Sequence, residues 1–169
     1  CSQMMTSLTK IPQPVIARVH GVAAAAGCQL VAACDLAVAS SDARFATSGI
    51  NLGLFCSTPA VPVSRNVHQK NAMELLLTGE FIDAKTALSW GLVNRVASLG
   101  ELDKELQKLI SVILSKPQIA ITIGKQMFYK QLETNSEEAY NYASKIMASN
   151  MMVESVTDNV KNFFKKNNS

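Results

Sequence analysis

The sequence predicts an α/β protein, and three observations carry that prediction. A β-branched run, Val15 to Val19, reads as a buried strand; Cys28 to Cys34 is an almost wholly apolar run that reads as a helix; and Leu36 to Ala39 reads as a second strand. A strand, a buried helix and a strand joined by short turns make a βαβ unit, which implies a parallel sheet. Composition agrees with a packed core. Of 169 residues, 48% are apolar and 17% charged, against about 25% charged in an average soluble domain, which excludes a disordered chain. The net charge of +3 comes without any long run of like charges, so neither a nucleic-acid nor a membrane surface is indicated. Residues 1 to 60 carry only five charges (Lys10, Arg18, Asp35, Asp42, Arg44), which marks the first third as interior.

Taken in order, Gln3 to Leu8 can end a helix that Pro12 and Pro14 break, because proline lacks a backbone donor and restrains the residue before it. His20-Gly21 supplies the turn after the first strand. Ala23 to Gly27 leads into the apolar helix, which has hardly a polar residue on any face and is expected to be buried. Ser40 to Pro62 is expected to be a long connection, and long loops in compact domains are often functional. Helices follow over Asn71 to Thr78 and Ala84 to Trp90, each with glycine beyond its end and the second with Asp83 as N-cap. Leu92 to Val96 reads as a strand. Ser98 and Glu101 have capping-box spacing before a surface helix faced by Leu102, Leu106, Leu109, Ile110, Ile113 and Leu114. After Pro117 come a mostly apolar helix to Tyr129 and another, capped by Ser136, to about Asn150. The Lys/Asn-rich end is expected to fray.

Val19 to Cys34 is uncharged but too short for a membrane span, which needs roughly 20 apolar residues. The cysteines lack C-x-x-C spacing, so zinc and a disulfide scaffold are not indicated, no metal site is expected, and reduced intracellular thiols fit. No targeting segment is legible, and a start at Cys leaves room for domain residues upstream.

The most informative stretch for chemistry is the Ala/Gly run entering the apolar helix. Small residues there let a ligand approach main-chain N–H groups without helical partners, and such donors can bind a developing oxyanion. The same residues equally serve close packing of helix on sheet. Neither reading is excluded by composition.

Pro14-Val-Ile-Ala-Arg-Val-His-Gly21, Ala26-Gly-Cys-Gln-Leu-Val-Ala-Ala-Cys-Asp35, Phe45, Gly53, Leu77-Thr-Gly-Glu80, Ala84, Ala87 and Gly91-Leu-Val93 together resemble the crotonase family over residues 12 to 96. The segment Phe45 to Pro59 is further similar to one mitochondrial subgroup of it. The resemblance implies a ββα spiral core, here partial, over 1–100, followed by a helical oligomerisation region over 101–169 that builds a homotrimer or dimer of trimers. It implies acyl-CoA as substrate or ligand, with no cofactor held permanently, and a thioester enolate held by two main-chain N–H groups. Ala26 stands at the second of these; the first donor would precede residue 1.

The family's hydratases use two glutamates, and the matching positions are Gln29 and Gly49. Glutamine holds water but exchanges no proton, and glycine offers no side chain, so ordinary hydration is not expected. Restoring both carboxylates is expected to create it. Cys56 and Ser57 lie where other members place an acidic residue and are the alternative nucleophiles, with packing as their plainer role. Phe163 and Lys166 match residues that reach coenzyme A of a neighbouring subunit. His20 is expected to be structural, His68 exposed and Asp35 architectural, and the Met-rich segment Met147 to Met152 a packing face.

Three functions fit: an enoyl-CoA hydratase/isomerase-like protein of fatty-acid metabolism with a non-standard reaction, a non-catalytic acyl-CoA binder or assembly subunit, and an active hydratase with another base. The location implied is the mitochondrial matrix in a eukaryote and the cytoplasm in a bacterium.

Overall fold

In the computed structural model, which describes residues 2–153 and 156–157, Pro12 and Pro14 follow the end of α1 (Ser2–Lys10), and the chain then enters β1 (Ile16–Val19). After His20-Gly21 it forms a second short strand, β2 (Val22–Ala24), before α2 (Ala26–Ala33) and β3 (Leu36–Ser40). The Ala run is therefore divided between a strand and a helix. Its low side-chain bulk suits both, and pairing with a later strand decides the outcome.

Asp35 closes the βαβ unit. Its Oδ2 accepts the Val15 N–H at 2.6 Å, and the Val15 carbonyl accepts the N–H groups of Asp35 and Leu36. This clamp starts β1 and β3 side by side, in parallel register from Ile16 opposite Leu36 to Val19 opposite Ala39. The architectural role expected of Asp35 is the one it has.

Ser40 to Pro62 is not the long loop its Gly, Pro and polar residues suggest. It contains β4 (Arg44–Ala46), a 3-10 turn over Ser48–Leu52 and the first half of α3 (Ser57–Asn66). Pro59 lies in the opening turn of α3, where a proline sacrifices no helical bond, whereas Pro62 lies inside the helix and gives one up. β4 pairs parallel with β2, Val22 opposite Arg44.

Next come α4 (Gln69–Thr78), β5 (Ile82–Asp83), α5 (Ala84–Ser89), β6 (Arg95–Ala97) and α6 (Leu102–Leu114). Gly79 and Gly91 take positive φ beyond α4 and α5, at 63° and 83°. Asp83 caps α5 by accepting the Thr86 N–H at 2.7 Å. The strand read from Leu92 to Val96 is confined to Arg95–Ala97, because Leu92 and Val93 are buried in the core and Asn94 pairs in advance of it: the Asn94 side chain accepts the Ala37 N–H at 2.7 Å. Ser98 precedes a 3-10 turn and its side chain forms no cap bond.

The two sheets are ordered β1-β3-β6, all parallel, and β2-β4-β5, with β5 antiparallel to β4. β1 is an end strand. Between sheets and helices, Phe45, Cys28, Val63, Leu75 and Ala87 form one buried cluster. The alanines of α2 and β3 permit the close approach that native packing density requires. α2 is not buried all round: Leu30 is 40% exposed, and it borders a groove of about 430 Å³ that runs along β1 past Leu8, Val15, Val22 and Cys34.

The chain divides into two compact units between Lys116 and Pro117. In the second, α7 (Gln118–Gln131) and α8 (Ser136–Met151) pack on each other. Asn135, rather than Ser136, is the N-cap of α8, its side chain accepting the Glu138 N–H at 3.0 Å. Met147 and Met151 are exposed, and Met152 is 84% exposed, among the described residues. Phe163 and Lys166 lie outside the described residues.

Candidate functional site

Ala26 opens α2 and is exposed. The first helical bond runs from the Gln29 N–H to the Ala25 carbonyl at 3.0 Å, so the amides of Ala26, Gly27 and Cys28 precede it, as at any helix start. Ala25, the N-cap, has φ 47° and ψ −112° and is the one non-glycine with positive φ among the described residues. Such a conformation costs about 1–3 kcal/mol and persists only where surroundings fix it. Here the Ala25 N–H donates to the Ala46 carbonyl at 2.9 Å, tying the turn to β4.

Gln29 lies one helical turn after Ala26, on the same face. It is 3% exposed, and its Oε1 accepts the Thr58 hydroxyl of α3 at 3.3 Å. Thr58 is a partner that the sequence did not single out. No periodic signal ties a residue on one helix to a glutamine 29 positions away.

Gly49 sits in the 3-10 turn, and its N–H donates to Cys56 Sγ at 3.3 Å. A Cβ at this position would lie 2.7 Å from the Leu54 carbonyl oxygen and 2.8 Å from Cys56 Sγ. Glycine is needed here for space. Its φ is not among the positive ones. The position matching the second glutamate is thus packed by its own loop, as well as lacking a side chain, and refilling it with a glutamate meets a steric obstacle.

Cys56 is 7% exposed and stands at the N-cap position of α3. Ser57 is exposed, its hydroxyl donating to the Phe55 carbonyl at 3.3 Å. Among the described residues the hydrogen-bond partners of both side chains are main-chain groups, not a side-chain base. Cys28 is fully buried beneath them, and burial, with a smaller contribution from the nearby Cys56, pushes its thiol up to about 12. A thiol so placed is a packing group. His20, in the turn after β1, and His68, before α4, are both exposed. Among the described residues no three His, Cys, Asp or Glu side chains gather as a metal site would require, and no helix is long and apolar enough to cross a membrane.

Gln29, Gly49 and Cys56 are therefore brought to one locality where α2, the 3-10 turn and α3 meet, with Ala26 a turn away. This locality offers amide donors, an amide side chain and a buried thiol. None of these named residues carries a carboxylate.

Residues 1–169 match the family model of enoyl-CoA hydratase/isomerase proteins. The chain belongs to that family. Enoyl-CoA hydratase domain-containing protein 3, mitochondrial, is 45% identical in Homo sapiens and 43% in Xenopus laevis, in each case over 98% of this chain and 55% and 56% of the relative. The chain thus spans a little over half the length of these relatives. The crystal structure of an enoyl-CoA hydratase from Mycobacterium smegmatis is 55% identical with a TM-score of 0.96, over 98% of this chain and 65% of that one. That of human enoyl-CoA hydratase domain-containing protein 3 is 44% identical with a TM-score of 0.93, over 98% of this chain and 66% of that one. The crotonase fold that the motifs imply is the fold of this chain.

Proposed function

From membership of this family, we propose that the chain serves an acyl-CoA thioester-binding protein whose reaction is not ordinary water addition. The observation that carries this reading is the packed state of Gly49: the Leu54 carbonyl and Cys56 Sγ take the room a second carboxylate would need. The Ala26 N–H donates to the thioester oxygen, and alanine supplies that donor as well as glycine does. A donor aimed at an oxygen that gains negative charge stabilises an enolate more than the neutral ester. Gln29, held by Thr58, orients a polar group or a water but moves no proton.

A second reading, a non-catalytic acyl-CoA binder or assembly subunit, is favoured by the glutamine and glycine that stand at positions 29 and 49. Binding then survives on the amide donors alone. Coenzyme A is ligand rather than permanent cofactor in both readings, α7 and α8 contribute to a trimer, and fatty-acid metabolism is the setting; a mitochondrial location is in keeping with the word mitochondrial in the relatives' names. Separation of the two readings needs turnover and binding measured side by side on the full-length protein. With crotonyl-CoA, the loss of enoyl absorbance is expected to stay at background while crotonyl-CoA and butyryl-CoA both bind. Efficient hydration would overturn the proposal, and absence of any coenzyme A thioester binding would overturn both readings.

A further inference from the structure

We draw no further inference here: the strongest candidate, the apolar groove of about 430 Å³ along the edge of β1 past Leu8, Val15, Val22 and Cys34, carries nothing because nothing in the structure shows what covers it.

Discussion

A glutamate introduced at position 49 would have to carry its Cβ within 2.7 Å of a main-chain oxygen, a clash that only rebuilding of the Gly53 to Cys56 loop relieves. The double substitution Gln29→Glu with Gly49→Glu is therefore expected to add no hydration of crotonyl-CoA and to destabilise the protein by about 1–3 kcal/mol, as overpacking does. Enoyl absorbance and a thermal melt check the two halves. The buried thiol gives a second prediction. Cys28 resists ionisation up to about 12, so iodoacetamide at pH 8 should leave it unmodified in the native protein while the half-buried Cys34 reacts, as peptide mass mapping would report. Because burial raises this value, the stability that the neutral thiol contributes is whole below the ordinary thiol range. It is lost as pH climbs through about 12. Ala26 and Gln29 were legible in the sequence, since helical spacing puts them on one face. The contact of Gly49 with Cys56 was not, because a seven-residue turn has no period that reports which atoms meet across it.

For the elements, caps were legible wherever a side chain competes locally for a backbone amide. Asp83 at the start of α5 is such a case: the Thr86 N–H, with smaller help from the Thr86 hydroxyl and Lys85, holds its carboxyl below the ordinary aspartate range. A lowered carboxylate contributes stability that is present above the unfolded value and is lost as pH falls through the folded one. Asp83→Asn should accordingly lower stability at pH 7, where the ionised carboxylate contributes, and converge with the wild type in acid, so that the acid limb of a pH–stability curve followed by circular dichroism flattens. Gly79 offers the complementary test. Its φ of 63° and the proximity of Ile50 Cγ2 make Gly79→Ala strained as well as crowded, and a loss of about 1–3 kcal/mol in urea unfolding is expected. What was not legible was β2, and with it the structure inside Ser40 to Pro62. Val22–Ala24 becomes a strand because Arg44–Ala46 lies beside it, and a three-residue pairing with so distant a segment leaves no mark on local propensity.

In the molecule as a whole, burial is concentrated unequally. Phe45, Val38, Val63 and Leu75 in the first unit are at most 1% exposed, whereas α7 and α8 bury no residue. Native-state hydrogen exchange should consequently protect β3 and α2 most and α7 and α8 least, and Phe45→Ala should lower stability by about 3–5 kcal/mol. The βαβ unit could be read from sequence because apolar runs between turns fix it. Pairing partners outside that unit depend on distant residues, which is why the second sheet was missed.

Among the described residues β1 has β3 on one side only, and the groove past Leu8, Val15 and Val22 lies along it. A strand edge open in this way and flanked by aliphatic side chains is a template for a foreign strand. The purified polypeptide should therefore self-associate more steeply with concentration than its modest charge alone would dictate, and a lysine in place of Val22, 67% exposed beside that border, should raise its solubility limit without loosening the interior.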